Sequence, residues 1–344
     1  MERKDKDMKK VGVIGAGSWG IALAKNLSDN GHKVTIWSIM EDEIAMLNEH
    51  REHLDKLPGV KLSEDMEFTT DIEKAITGKE MLVLAVPSIF TRSTANKMAP
   101  YVTEGQIIAC VAKGIEENTL MTISEVVEDE IPQADVCVLC GPSHAEEVGA
   151  GLPTTVVVGA TTRATAELIQ DTFMNAVFRV YTSHDVLGME LGGSLKNVIA
   201  LAAGMADGLG YGDNTKAALI TRGVSELTRL AVAMGAKTET LNGLTGIGDL
   251  IVTCQSKHSR NRKAGMLMGQ GMTMDEAMKE VKMVVEGVYS AKAAMALGKK
   301  YNVSMPIIEE VNRVLFENKS AKEAVTDLML RDKCVEHDNL GWEE

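Results

Sequence analysis

Three glycines, Gly15, Gly17 and Gly20, constrain this chain more than any other feature. They follow a short apolar run, Val11 to Ile14, and precede a helical stripe of Ile21, Ala22, Ala24 and Leu27. A strand that turns on glycines into a helix opens a βαβ unit. Gly15 permits the tight turn, Gly17 lets the backbone approach a pyrophosphate, and Gly20 lets helix and strand pack closely. The helix then faces the phosphates with free N–H groups and a partial positive charge. Strand before and helix after supply the required context, so dinucleotide binding is expected rather than a merely tight turn. Gly31 stands where that helix would be capped.

The alternation continues. Lys33 to Trp37, Met81 to Val86 (stopped by Pro87), Ile107 to Ala112, Val136 to Cys140, Thr154 to Val158 and Phe178 to Tyr181 read as strands, with helical patterns between them. This predicts an α/β fold, an N-terminal Rossmann-type doubly wound and mostly parallel sheet with helices on both faces. After about Ser183 the pattern becomes helical throughout. Helices are expected over Val186 to Gly208, Thr215 to Met234, Glu276 to Lys282, Ser290 to Lys300, Ile307 to Glu317 and Ala321 to Leu330, with no strand. The expected division is a dinucleotide-binding domain over 1–183, an all-helical substrate and catalytic domain over 184–335, and a loose acidic tail over 336–344. Small residues (Gly192, Gly193, Ala200, Ala202, Ala203, Gly204) permit close helix contact; a homodimer interface and internal domain packing account for them equally.

A length of 344 residues suits two domains. The formal net charge of −13 argues against nucleic acid or an anionic membrane as partner. It leaves room for an anionic small substrate, because a few local Lys and Arg dominate a closed pocket. Five scattered cysteines (Cys110, Cys137, Cys140, Cys254, Cys334) are not a disulfide framework. Cys137 and Cys140 form a CxxC, but on a strand they point to opposite faces, so neither a bond nor a metal is expected. Met1 to Lys10 lacks the apolar core of a signal peptide, and no run approaches the roughly 18 apolar residues of a membrane span. A cytoplasmic protein is expected.

A dehydrogenase needs a group that exchanges the alcohol proton while hydride moves to or from nicotinamide, and cations if its substrate is anionic. Lys196, in Gly192-Gly193-Ser194-Leu195-Lys196-Asn197, interrupts an apolar helix. It reads equally as a lysine snorkelling to solvent and as a site residue whose burial lowers its pKa toward the proton-transfer range. Asp249, ending the glycine-rich Gly243 to Leu250, reads as a helix cap or as the carboxylate orienting that ammonium. Ser259-Arg260-Asn261 opens a helical segment, either as a solvated basic turn or as a phosphate site. Val284-Val285-Glu286-Gly287 alone reads as little more than a cap.

The second strand ends Ile36-Trp37-Ser38-Ile39-Met40, with no carboxylate before Glu41 to grip the ribose hydroxyls of NAD. That favours NADP slightly, yet no arginine stands there for its 2′-phosphate; Lys33 and the more distant Arg51 are the cations on offer.

Taken together, the chain from Val11 to about Leu330 resembles the bacterial-type NAD(P)-dependent glycerol-3-phosphate dehydrogenase family. The resemblance rests on an ordered set: GAGSWG at Gly15 to Gly20, AVPS at Ala85 to Ser88, AKGIE at Ala112 to Glu116, GPSHAEEV at Gly141 to Val148, LKN at Leu195 to Asn197, GLTGIGDL at Gly243 to Leu250, SRN at Ser259 to Asn261 and VEG at Val285 to Gly287. It implies hydride transfer between NAD(P)H and dihydroxyacetone phosphate, giving sn-glycerol 3-phosphate for glycerophospholipid synthesis. It implies Lys196 as proton donor and acceptor, with Asp249 and Thr253 lining the reacting end. Lys113 would stand between cofactor and substrate. Gly141, Ser143 and Asn197 would serve the substrate, and Ser259, Arg260 and Asn261 its phosphate. Ser18, Trp19, Ala145, Arg260, Val284 and Glu286 would join Gly15, Gly17 and Gly20 on the cofactor. The chain departs from many bacterial members at Ser38-Ile39, where they carry Arg or His, and its segment from Asn48 to Pro58 is slightly longer. Two rivals stand beside this reading: a related two-domain hydroxyacid or hydroxyacyl dehydrogenase, and a catalytically silent NAD(P) sensor, which would not need Lys196, Asp249 and Arg260 together.

Overall fold

The computed structural model describes residues 8–333 and 335–336. One sheet contains β1 (Lys10–Ile14), β2 (Lys33–Trp37), β3 (Glu67–Thr69), β4 (Met81–Leu84), β5 (Ile107–Cys110), β6 (Asp135–Cys140), β7 (Thr154–Ala160) and β8 (Phe178–Ser183). The spatial order is β3-β2-β1-β4-β5-β6-β7-β8, and every pair is parallel except β6 with β7. β1, β2 and β4 are buried along nearly their whole length, as strands covered by helices on both faces must be. The chain runs outward from β1 to β3, then returns to place β4 on the other side of β1. That reversal opens a crevice beyond the carboxyl ends of β1 and β4, where doubly wound sheets bind ligands.

All seven expected strands form; Lys33–Trp37 keeps its expected bounds and the other six shift at one end. β4 and β5 stop at Leu84 and Cys110, two residues early, because the chain leaves the sheet there to line the crevice with Ala85, Val86, Ala112 and Lys113. β3 was not expected; three residues are too few to show a two-residue period. At the glycine turn, Gly15 has φ +123°, and a Cβ on it would lie 2.9 Å from the Ala85 backbone. A Cβ on Gly20 would lie 2.2 Å from the Gly15 carbonyl oxygen, whereas one on Gly17 would meet nothing within 4 Å. Gly15 and Gly20 thus serve the fold, and Gly17 leaves space for something arriving from outside.

Beyond Ser183 the described residues form helices and no strand. The Val186–Gly208 helix has the expected bounds and runs through the centre of the helical core. Length and composition would let it cross a membrane, but 89% of its most apolar window is buried inside the protein. Its small residues are used internally. A Cβ on Gly204 would lie 2.1 Å from the Arg262 carbonyl oxygen, so the Arg260–Gly269 helix packs backbone to backbone against it. The helices Asp213–Ala233, Met274–Val281, Glu286–Lys300, Pro306–Phe316 and Ala321–Met329 surround this pair. Cys137 and Cys140 do face opposite sides of the sheet, and the four described cysteines are buried free thiols. Of the acidic tail only Glu336 is described; Cys334 and residues 337–344 lie outside the described residues.

Candidate active site

A cleft of about 890 Å³ spans the carboxyl edge of the sheet and the long central helix. Most residues singled out by sequence line it: Gly15, Gly17, Ser18, Trp19, Lys113, Ser143, Ala145, Lys196, Asn197, Asp249, Thr253, Ser259, Arg260, Asn261, Val284 and Glu286. Gly20 and Gly141 do not. Gly20 packs beneath the turn. The Gly141 carbonyl accepts from Lys113 Nζ and from Ser143 Oγ, both at 3.0 Å, and so supports two residues that do line it.

Lys196 does not snorkel: it is 4% exposed. Its Nζ lies 3.1 Å from Asp249 Oδ1 and donates to Thr253 Oγ1 at 2.7 Å and Asn197 Oδ1 at 3.2 Å. The glycine-rich stretch before Asp249 forms a π-helical turn, Leu244–Gly248, which leads into the Asp249–Gln255 helix. Such turns recur at functional sites. A Cβ on Gly192 would lie 2.8 Å from the Thr245 carbonyl oxygen, so this turn sits directly on the central helix. Asp249 begins its helix without capping it. Its carboxylate bridges two ammonium groups, with Oδ2 accepting from Lys113 Nζ at 2.6 Å and Oδ1 facing Lys196. Burial, reinforced by the Lys113 charge, pulls the Lys196 pKa below the ordinary lysine value against the pull of Asp249. At Lys113 burial acts in the same sense, but the Asp249 carboxylate outweighs it and the pKa rises. One carboxylate between two lysines leaves net positive charge in a dry corner, and the lysine with the weakened proton is Lys196.

The loop carrying Lys113 is clamped from the same central helix. Ser194 Oγ donates to the Gly114 carbonyl at 3.0 Å, and the buried Glu190 accepts from the Ser124 N–H at 2.9 Å and its Oγ at 2.5 Å. Glu286 does not cap its helix: it accepts from the Ser88 N–H at 3.1 Å and from Ser88 Oγ, joining the loop after β4 to the start of the Glu286–Lys300 helix. Ser259 caps the Arg260–Gly269 helix, accepting from the Arg262 N–H at 3.2 Å. Asn261 is locked, its Oδ1 accepting from the Gly287 N–H at 2.8 Å and its Nδ2 donating to Asn197 Oδ1 at 2.9 Å. Arg262 is bound to Asp207 at 2.6 Å, so Arg260 is the arginine of this turn that faces the cleft.

Sequence reasoning also missed residues. Ser88 lay in a quoted motif without a role. So did His144, which lines the cleft; Phe90, Glu43 and Lys56 line it too, and no local pattern marks them. The two cations offered for a 2′-phosphate are elsewhere. Lys33 begins β2, at the edge opposite the crevice. Arg51 donates to the Met66 carbonyl at 2.7 Å, lies 3.3 Å from Glu64 and stacks 5.1 Å over Phe68. Among the described residues no cluster of three or more His, Cys, Asp or Glu is placed to hold a metal.

A dinucleotide fits these walls. The space above Gly17 is open, no side chain caps the helix that follows it, and that helix has no acidic residue in its first turn, so its N–H groups and dipole favour a pyrophosphate. Fold and cleft define an NAD(P)-dependent oxidoreductase that works between a nucleotide-binding sheet and a helical domain. Comparison narrows the class. Residues 10–166 match the N-terminal and residues 185–326 the C-terminal model of NAD-dependent glycerol-3-phosphate dehydrogenase, and the chain belongs to that family. It is 76% identical to a glycerol-3-phosphate dehydrogenase (NAD(P)+) of Agathobacter rectalis over 97% of this chain and 100% of that protein. A counterpart from Fusobacterium nucleatum is 57% identical over 96% and 99%. The crystal structure of glycerol-3-phosphate dehydrogenase from Coxiella burnetii superposes with a TM-score of 0.91 at 35% identity, covering 94% of this chain and 99% of that one.

Proposed function

We propose that this cleft interconverts dihydroxyacetone phosphate and sn-glycerol 3-phosphate with NAD(P)(H), with Lys196 as the proton donor and acceptor. The observation that carries the reading is Asp249 bridging Lys113 and Lys196 in the cleft that the glycine turn opens. Bound NAD(P)H would supply the hydride received by C2 of the substrate. The chain's residues do the rest. Arg260, Asn261 and Ser259 hold the phosphate through charge and a helix N-terminus. Lys113 stands over the substrate oxygens, steadied by Gly141. Lys196 gives its proton to the alkoxide forming at C2 and takes it back in the reverse direction, while Asp249 and Thr253 keep the ammonium aimed. Burial favours that transfer twice, by loosening the proton and by strengthening the attraction of a fixed cation for developing negative charge. Ser143 and Asn197 line the substrate side; Ser18, Trp19, Ala145, Val284 and Glu286 line the cofactor side.

The test is loss of NAD(P)H absorbance with purified protein and dihydroxyacetone phosphate, run beside a panel of hydroxyacid and hydroxyacyl substrates. Substrate-dependent loss with dihydroxyacetone phosphate alone supports the reading. Turnover of a panel member instead, or none in protein that binds nucleotide, rejects it in favour of the related dehydrogenase or the sensor. The reading carries a cytoplasmic location with it; light scattering of the purified chain measures whether it pairs, since the small residues of the central helix are used internally.

A further inference from the structure

The strand end that normally presents an acid to the ribose of NAD carries Ser38 here, immediately after β2. The structure brings the acid from the next helix. Ser38 Oγ donates to Glu43 Oε2 at 2.6 Å and also accepts from the Met40 N–H at 3.2 Å, so the serine tethers the carboxylate of the Glu41–His50 helix to the end of β2. Lys56 Nζ binds the other oxygen, Glu43 Oε1, which His53 Nε2 also faces at 3.6 Å. Ser38, Glu43 and Lys56 all line the cleft that holds the glycine turn. Burial alone would raise the Glu43 pKa, but His53, Lys56 and Ser38 outweigh it and hold the carboxyl at about 2. The acid is ionised at any working pH.

The two partners differ in freedom. The Glu43 side chain is 15% exposed and held from three sides; that of Lys56 is 34% exposed. Lys56 follows a turn closed by its own N–H on His53 Nδ1 at 3.2 Å, and reaches Glu43 through a flexible four-carbon stem. It is the partner that can turn. A ribose 2′-hydroxyl needs an acceptor, which Glu43 supplies while Lys56 stays paired. A 2′-phosphate brings nearly two negative charges, which the carboxylate repels and a released ammonium attracts.

We propose that Glu43 and Lys56 form the cofactor selector of this chain, Glu43 accepting the 2′-hydroxyl of NAD(H) and Lys56 leaving it to bind the 2′-phosphate of NADP(H). The proposal rests on the cofactor half of the function above and not on its substrate. Titrating NADPH and NADH into the full chain by cofactor fluorescence, with no substrate present, therefore tests it separately; the readout is the ratio of the two dissociation constants. Lys56→Met should weaken NADPH about tenfold, or about 1.4 kcal/mol, and NADH less than about twofold. Lys56→Arg should keep the wild-type ratio, and Glu43→Gln should shift it toward NADPH. The decisive variant is Glu43→Gln combined with Lys56→Met. If Lys56 binds the phosphate directly, NADPH stays weak in the double variant. A ratio that returns to the Glu43→Gln value there would show that Lys56 only masks a repulsive carboxylate. Either that recovery or a Lys56→Met ratio equal to wild type overturns the proposal.

Discussion

The two halves of the molecule contribute to the cleft in different currencies. The sheet half works mainly through backbone. Gly15 and Gly20 let β1 turn into a helix whose N–H groups point outward, and most of what that surface needs lies within six consecutive residues. The helical half works through side chains drawn from distant places: Lys196 from the central helix, Asp249 and Thr253 from the helix after the π-helical turn, Asn261 and Arg260 from a third, Glu286 from a fourth. A backbone site tolerates sequence change as long as space is kept. A side-chain site fails when one atom is removed. Damage to Lys196, Asp249 or Arg260 should therefore appear in turnover and substrate affinity, and damage to the glycine turn in nucleotide affinity.

The largest expected effect is on the proton. Lys196→Ala should lower turnover about a hundredfold or more and leave the nucleotide dissociation constant unchanged; near-normal turnover would end the assignment. The same residue predicts a pH limb. Its pKa is pulled below the ordinary lysine value of 10.5, chiefly by burial. Reduction needs the ammonium, so its rate should fall as pH rises through a midpoint below 10.5, while oxidation, which needs the free amine, rises over the same range. Next is Arg260→Ala, which removes one charge-assisted contact and should raise the Michaelis constant for dihydroxyacetone phosphate about ten- to a hundredfold. An unchanged constant would mean that the phosphate lies elsewhere.

Gly17→Ala sharpens the contrast from the sheet side. The added methyl meets nothing within 4 Å, so the melting temperature should hold while nucleotide binding weakens about tenfold. Gly20→Ala, 2.2 Å from a carbonyl oxygen, should instead lower stability. The smallest effect concerns the scaffold. Glu226 is buried and accepts from the Ile307 N–H at 2.9 Å, where the Pro306–Phe316 helix starts. Burial raises its pKa from 4.5 to about 7. A carboxyl whose folded value lies above its unfolded one costs stability as pH rises between the two. Glu226→Gln should therefore stabilise the protein by about 1 kcal/mol above pH 7, less as pH falls toward 4.5, with turnover unaffected. Denaturant melts at several pH values would measure it.

Much of this was legible along the chain because the signals are local and periodic. The turn from β1 needs glycines at fixed offsets, and the Val186–Gly208 helix is long and apolar enough to show its bounds. The ordered motifs held Lys196, Asp249 and Arg260, which the fold brings to one cleft. β3 escaped because three residues carry no period, and Ser88 because its partner is 198 positions away. Glu43 and Lys56 escaped for a related reason: a helix and a loop bring them back to the end of β2, and neither residue type is unusual where it stands.

Local chemistry decided the elements, their chain order, the glycine turn and the family, since each follows from backbone sterics and from which faces are apolar. Tertiary packing alone decided whether Lys196 reached solvent or a carboxylate, whether Asp249 capped a helix or bridged two lysines, and which cations entered the cleft. Those choices depend on burial and on distances between segments far apart in the chain, and a proton held by Lys196 takes its value from that surrounding rather than from the lysine.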